Sequence, residues 1–365
     1  MKLQPDVFTD FSIPQVEAYI KELGASSYRA SQILKWVYKQ AVLNYDEMTD
    51  LPSELRKSLS EKLNLHSLSC ITRRESTDGT VKALLSLRDS ATVEAALMLY
   101  AAGEGRARTT VCLSTQVGCA VGCTFCATGQ QGFERNLTQG EMLDQVLYFA
   151  RHIKYRETSE KIHEHITNIV FMGMGEPLAN YDSVMQAIDV LTSPRAFGIG
   201  ARNITISTAG LVPKILRLAE DKPQIGLAIS LHSAQNSLRD TLVPLNRKYP
   251  LNTLVGACRA YTEKTGRRIS FEYILFSGVN DSLEQAKILA ELLKGMNCHV
   301  NLIPANKTDS QIYRPSSRTQ ILKFENELKA ANIQCTLRIS RGQDIDAGCG
   351  QLRSRFLAAE IPNSN

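Results

Sequence analysis

From residue 108 onward the chain alternates short β-branched or apolar runs with amphipathic stretches, and that rhythm constrains the fold more than any other feature of its 365 residues. The spacing predicts strands at 110–114, 168–172, 203–207, 226–230, 269–275 and 300–303. Helices are expected at 138–153, 182–192, 212–219, 237–241, 251–264, 283–295 and 317–332. Strands that are apolar along their whole length are buried on both faces, and a helix after each one returns the chain for a parallel neighbour. The chain is therefore expected to be α/β, with βαβ units arranged as an incomplete barrel or an open doubly wound sheet. In a barrel, chemistry gathers at the C-terminal ends of the strands. Motif-like segments stand there: a cysteine run after the first strand, Gly173-Met-Gly-Glu-Pro177 after the second and Thr208-Ala-Gly210 after the third. Leu231-His232-Ser233 follows the fourth strand and Pro304-Ala-Asn306 the sixth.

Upstream, residues 11–66 read as helical, with Val16, Ile20 and Leu23 on one face and Leu55, Leu59 and Leu63 at four-residue spacing. The expected division is a helical accessory domain at 1–68, a β-hairpin linker region at 69–108, the α/β unit with a C-terminal catalytic loop at 109–356, and a tail at 357–365. A hydrophobic content of 43% with 22% charged residues rules out wholesale disorder and a fibrous fold. No run approaches the ~20 apolar residues of a membrane span. The first residues carry Asp6 and Asp10 and lack the apolar core of a secretion signal. No membrane association and a cytoplasmic protein are expected.

Nine cysteines, an odd number, argue against a disulfide scaffold. Cys119, Cys123 and Cys126 fall within one run of eight residues. A structural zinc needs four ligands, and the run supplies three; His152, the nearest histidine downstream, reads as solvated. An iron–sulfur cluster is normally held by four thiolates, so three would leave one iron open to a small molecule. In the Gly173–Pro177 segment the glycines let backbone approach a ligand closely, and Glu176 suits an amino group. Cys70, Cys258, Cys298 and Cys335 read as small packing residues.

The cysteine run and the Gly-Glu-Pro turn together resemble the radical S-adenosylmethionine (SAM) superfamily. That resemblance implies a [4Fe-4S] cluster on Cys119, Cys123 and Cys126, with the open iron chelating the amino and carboxylate groups of SAM. It favours an incomplete (β/α)6 radical SAM barrel with a small N-terminal helical domain. Longer segments carry a narrower likeness: Cys112-Leu-Ser-Thr-Gln-Val-Gly-Cys119, Gly132-Phe-Glu-Arg-Asn-Leu-Thr138 and Asp344-Ile-Asp-Ala-Gly-Cys-Gly-Gln-Leu352. They are similar to the bacterial radical SAM methyltransferases of adenosine C2 in 23S ribosomal RNA and transfer RNA, and the likeness runs from about residue 12 to 356. The related C8 methyltransferases carry Gln-Cys-Gly-Cys before the cluster and Gly-Glu-Ala in the turn, where this chain has Gln116-Val-Gly-Cys119 and Gly175-Glu-Pro177. C8 methylation, and a non-catalytic iron–sulfur or zinc module that binds RNA, remain the alternatives.

A radical route suits the target atom. Carbon 2 of adenine is electron-poor and does not attack a methyl sulfonium as a ring nitrogen does, whereas a carbon radical adds there. The resemblance implies that Cys349 accepts a methyl group from one SAM, a step for which a thiolate is a competent nucleophile. A second SAM, cleaved at the cluster, yields the radical that takes a hydrogen from the S-methyl group. The methylene adds to C2, Glu94 helps remove the C2 proton, and Cys112 attacks the Cys349 sulfur, leaving a transient disulfide and free methylated base. Without the resemblance, Cys112 reads as a packing thiol and Glu94 as a solvated strand carboxylate. Gly175, Glu176, Ser207, Ser230, Leu231, His232 and Asn306 match the SAM contacts of the family. Two departures stand out: Gly348 where the family has Ala, and Pro304-Ala-Asn306-Lys307 in place of a bulky residue and an Asn-Pro step.

The partners implied are 23S rRNA, tRNA with its target next to the anticodon, and an electron donor such as flavodoxin or ferredoxin; a monomer is expected. The formal charge is +5, weakly basic. Residues 312–356 hold eight basic side chains against four acidic ones, bracketing Cys349 where phosphates would lie. Tyr28-Arg29 and Lys35-Trp36 would grip folded RNA by shape, with Trp36 in the core, and the target adenosine must be turned out of its fold to reach a barrel mouth.

Overall fold

Ser12 starts the first helix: its backbone N–H donates to Gln15 Oε1 at 2.8 Å, closing a capping box at α1 (Ile13–Glu22). The computed structural model describes residues 5–101, 107–156, 165–305, 313–338, 341–345 and 350–360. After α1 come α2 (Tyr28–Leu34) and α3 (Ser53–Lys62), which bury Val16, Ile20, Ile33, Leu34 and Leu59. Trp36 is half-buried against this core, and its Nε1 donates to Asp50 Oδ1 at 2.5 Å.

Three antiparallel strands follow, β1 (Leu68–Glu75), β2 (Val81–Leu87) and β3 (Thr92–Tyr100). Asp78-Gly79 turns the first pair, with Gly79 at φ 78°. Residues 69–108 do more than link. β3 pairs antiparallel with β4 (Arg108–Cys112), so β1–β3 extend the barrel sheet. From β4 the sheet runs parallel through β7 (Asn168–Phe171), β8 (Ile204–Thr208), β9 (Gly226–Ser230), β10 (Ile269–Leu275), β11 (Cys298–Pro304) and β12 (Cys335–Leu337). The order of the ten strands is β1-β2-β3-β4-β7-β8-β9-β10-β11-β12, with β1 and β12 as its edges. Six of the parallel strands lie at the expected places. The three-residue β12 is an addition, as is the separate pair β5 (Gln116–Gly118) and β6 (Phe133–Asn136) that frames the cysteine run.

The connecting helices are α4 (Ala127–Gln130), α5 (Gln139–Lys154), α6 (Tyr181–Thr192), α7 (Val212–Asp221), α8 (Asn236–Leu242), α9 (Leu251–Thr265), α10 (Leu283–Leu293) and α11 (Arg318–Ala330). Thr138 and Glu141 form the capping box of α5 through bonds of 2.9 and 3.1 Å, and Gly266 ends α9 in the left-handed conformation. Asp144 on α5 ties barrel to helical region. Wholly buried, it accepts from Ser67 N at 2.5 Å, Ser67 Oγ at 2.6 Å and Thr9 Oγ1 at 3.2 Å.

After β12 the chain returns to the antiparallel strands. Gly342 N donates to Asp78 Oδ2 at 3.0 Å, and Arg341 lies 4.3 Å over the Tyr100 ring while donating to Leu99 O at 2.8 Å. The final helix α12 (Gln351–Glu360) packs beside β3 and α4. Two expectations need correction here. Arg353 is buried and binds Thr92 Oγ1, Gln131 Oε1 and Glu134 Oε1, so it holds the fold rather than a phosphate. Cys70 is exposed beside Tyr148 Oη instead of packed, because β1 is an edge strand; Cys258, Cys298 and Cys335 are buried. Among the described residues no helix is long and apolar enough to cross a membrane.

Candidate active site

One cavity of about 400 Å³ opens at the C-terminal ends of the strands. Its lining brings together Cys112, Cys119, Cys123 and Cys126 with Glu94, Gly175, Glu176, Ser207, Ser230 and His232. Cys349 and Asn306 lie outside the described residues.

The cysteine loop is held by backbone. Cys119 N donates to Gly132 O at 2.7 Å, Cys126 N to Cys123 O at 3.1 Å, and Thr124 N to Leu242 O at 3.2 Å. Gly118 has φ 75°, and a Cβ there would stand 2.0 Å from Gly132 O, so this approach requires glycine. Burial pushes the Cys119 thiol up to about 12 and the Cys123 thiol higher, with the neighbouring cysteines adding repulsion. Thiolates so placed need a bound cationic group to offset their charge. Among the described residues no three His, Cys, Asp or Glu side chains are grouped as they are around a single metal ion. Donors to a four-iron cube stand farther apart, each on its own iron, and this set of three half-buried thiols lining one cavity suits such a cube with one iron left open.

The turn after β7 is folded tightly onto β4 and β5. A Cβ at Gly173 would meet Leu113 O at 2.5 Å, and one at Gly175, whose φ is 99°, would meet Gln116 Cβ at 2.6 Å. Gln116 Oε1 accepts from Glu176 N at 2.8 Å. The Glu176 carboxylate accepts from Leu178 N at 3.0 Å and Ala209 N at 2.7 Å, which joins this turn to the one after β8. Burial nevertheless pushes its carboxyl up to about 6. An incoming ammonium group would restore the charge.

Ser207 and Ser230 face each other with Oγ atoms 3.4 Å apart. Leu231 is buried in the core, and its backbone N–H donates to Glu272 O at 3.0 Å, so its side chain shapes the strand end from behind. His232 adopts φ 58° and packs edge-on to Phe125, ring centroids 4.8 Å apart. Its Nδ1 accepts from Ile274 N at 3.2 Å. Burial, helped by Arg239, pushes its pKa down to about 3, so the ring is neutral and its proton sits on Nε2 as a donor. Arg239, on α8 and almost wholly buried, donates to Leu231 O at 3.1 Å, Ala209 O at 2.7 Å, Ser230 O at 3.2 Å and Asn246 Oδ1 at 2.9 Å.

On the opposite wall Glu94 is buried, not solvated. Its Oε2 lies 2.9 Å from Lys82 Nζ and accepts from Gly350 N at 2.7 Å, while Oε1 accepts from Arg353 N at 2.6 Å. Glu94 therefore caps α12, and it does so at the residue after Cys349. Gly350 also lies against α4, the helix that follows Cys126: a Cβ there would meet Thr128 N at 2.8 Å. Burial pushes the Cys112 thiol up to about 11, opposed by Arg338, a backbone bond from Met172 and Lys82.

Comparison with known proteins places this geometry. Over 341 residues, 93% of this chain and 91% of theirs, the sequence is 43% identical to the probable dual-specificity RNA methyltransferases RlmN of Staphylococcus aureus strains JH9 and Newman. The chain belongs to the RlmN family of dual-specificity RNA methyltransferases. Residues 8–65 match the ribosomal RNA large subunit methyltransferase N-terminal domain, and residues 113–290 match the radical SAM superfamily. The crystal structure of a radical SAM methyltransferase from Sphaerobacter thermophilus superposes with a TM-score of 0.89 at 46% identity, covering 95% of this chain and 99% of that one. This RlmN-type protein is thus a radical SAM RNA methyltransferase that uses a [4Fe-4S] cluster and S-adenosylmethionine.

The RlmN-type site also contains Lys82, Arg239 and Glu272, which the sequence did not single out, and it gives a place to Gln116 and Arg338, which the sequence offered only as a motif residue and as one of eight basic side chains. Lys82 left one trace, a lone charge inside the apolar run Val-Lys-Ala-Leu-Leu-Ser-Leu.

Proposed function

We propose that this enzyme methylates C2 of an adenosine in the peptidyl-transferase region of 23S rRNA and of the adenosine next to the anticodon in tRNA. It does so through an S-methylated Cys349 and a transient Cys112–Cys349 disulfide. One observation carries the reading: Gly350, the residue after Cys349, is tied to Glu94 on the wall of the cavity that Cys112 lines.

The bound cluster and SAM supply the radical that activates the methyl group. The chain's own residues do the rest. Cys119, Cys123 and Cys126 hold the cluster, while Glu176, Ser207, Ser230, His232 and Asn306 orient SAM, the His232 Nε2–H serving as a neutral donor. Gly175 and Leu231 contribute backbone. Cys349 takes the methyl group on sulfur, carries the one-carbon unit to adenine C2 and stays bonded to it. Glu94 takes the C2 proton, which requires one of its three present donors to withdraw. The Cys112 thiolate then attacks the Cys349 sulfur; the carbon–sulfur bond breaks, its electron pair takes up a proton to complete the methyl group, and the methylated base leaves as the disulfide forms. Residues 1–68 grip the RNA, an external flavodoxin or ferredoxin supplies electrons, and the enzyme works as a cytoplasmic monomer.

Offering both RNA classes to the anaerobically reconstituted protein, followed by nucleoside mass spectrometry, tests the reading. It predicts 2-methyladenosine in each; 8-methyladenosine, or RNA binding with no SAM cleavage under reduction, would refute it.

A further inference from the structure

Glu272 stands in the middle of β10 and faces the cavity with 5% of its surface exposed. Its Oε1 accepts from Asn301 Nδ2 at 2.8 Å. Its Oε2 is buried and takes no hydrogen bond among the described residues; Arg338 Nη1 is 3.7 Å away, an ion pair beyond hydrogen-bonding length. A buried carboxylate oxygen left without a donor is costly, and such an atom in a cavity wall marks a place where a ligand completes the bonding.

The surroundings say what kind of ligand. Sheet register sets Ser230 on one side of Glu272 and Asn301 on the other, so a polar row crosses β9, β10 and β11. Arg338 acts on both Glu272 and the Cys112 thiol, so the carboxylate and that thiol border the same space. A base whose C2 is worked on beside Cys112 must occupy that space. Adenine has one hydrogen-bond donor on its heterocycle once N9 is glycosylated, the amino group on C6. An ionised carboxylate only accepts. A purine with a carbonyl at C6 would set lone pairs against it, and unpaired buried polar groups give strong discrimination.

We propose that Glu272 Oε2 receives the amino group on C6 of the target adenine and thereby selects adenosine over 6-oxopurine nucleosides. This rests on the C2 methylation reading. The adenine of SAM carries the same amino group, and Ser230, a proposed SAM contact, is the register neighbour of Glu272; the experiment separates the two sources.

Target RNAs would carry adenosine, inosine or unsubstituted purine riboside at the modified position. Each is offered to reconstituted wild-type enzyme and to Glu272→Gln, and SAM affinity is measured for both proteins. Wild type should lose about ten- to a hundredfold in kcat/KM on purine riboside, the worth of one hydrogen bond to a charged group. It should lose more than that on inosine. A glutamine amide in place of this carboxylate can donate to a carbonyl, so E272Q should lower the adenosine-to-inosine ratio at least a hundredfold while SAM affinity stays within twofold. An unchanged ratio overturns the proposal, and weakened SAM binding with an unchanged ratio assigns Glu272 to SAM instead. If E272Q does not fold, equal wild-type rates on adenosine and purine riboside still overturn it. A wild-type enzyme that forms no 2-methyladenosine on the adenosine RNA fails the underlying reading, a different result from any of these.

Discussion

The Lys82 ammonium stands 2.9 Å from the Glu94 carboxylate, with 3% and 4% of the two side chains exposed. Each is the other's countercharge in a place where water does not solvate them. Removing one partner of a buried pair leaves an unpaired charge, at a cost of about 3–5 kcal/mol. Lys82→Met is therefore expected to lower the urea-unfolding free energy by about that much. A change under about 1 kcal/mol would show that the pair does not hold the native state together. On the proposed mechanism Glu94→Gln removes the base itself, so that variant should accumulate a covalent protein–RNA adduct, read as a shifted band on a denaturing gel.

Cys112 gives a pH dependence. Burial raises its pKa to about 11, so in the resting arrangement the thiol is protonated at neutral pH. Roughly one molecule in ten thousand would carry the reactive thiolate at pH 7. Alkylation of Cys112, followed by peptide mass mapping, should rise about tenfold per pH unit from 7 toward 11. Arg338→Met removes a charge that favours the thiolate and should move the profile to still higher pH. A profile flat above pH 8 would contradict this environment.

Gly175 tests the turn. Alanine would force a side chain into φ 99° and against Gln116, displacing Glu176 from its bonds. Gly175→Ala is expected to weaken SAM binding at least tenfold by calorimetry. Binding at wild-type strength would mean that the turn is not the docking surface.

Arg239 binds four oxygens on three segments, and no other side chain has its fork of donors. Arg239→Met should cost about 3–5 kcal/mol of stability, and Arg239→Lys should recover less than half of the loss, since one ammonium cannot reach all four acceptors.

Cluster loading is the simplest chemical check. Replacing Cys119, Cys123 or Cys126 singly by alanine should abolish retention of four irons and the visible absorbance of the reconstituted protein. Replacing the exposed Cys70 should change neither.

Much of this structure could be read in advance. Runs such as Asn-Ile-Val-Phe at β7 and Gly-Leu-Ala-Ile-Ser at β9 are apolar and β-branched enough to mark buried strands on their own. The short pieces could not be read. β12 has three residues, and β5 and β6 owe their existence to pairing across the cysteine loop rather than to propensity. That β3 continues the barrel sheet through β4 is a pairing choice, which hairpin patterning does not encode. The cysteine run and the glycine turn were visible because their chemistry needs fixed residues at fixed spacing. Lys82, Arg239 and Glu272 were not, because a charge in a strand or helix looks solvated until its partner, often distant along the chain, is known.

Asp144 is fastened at once to Ser67 and Thr9, so the first helices and the barrel cannot rock against each other without breaking buried bonds. The molecule therefore works like a fixed-jaw gauge. On the proposed reading, an RNA seated on the helical end would meet the cavity mouth at one preset span, and two unlike RNAs would qualify as substrates when each presents an adenosine at that same reach.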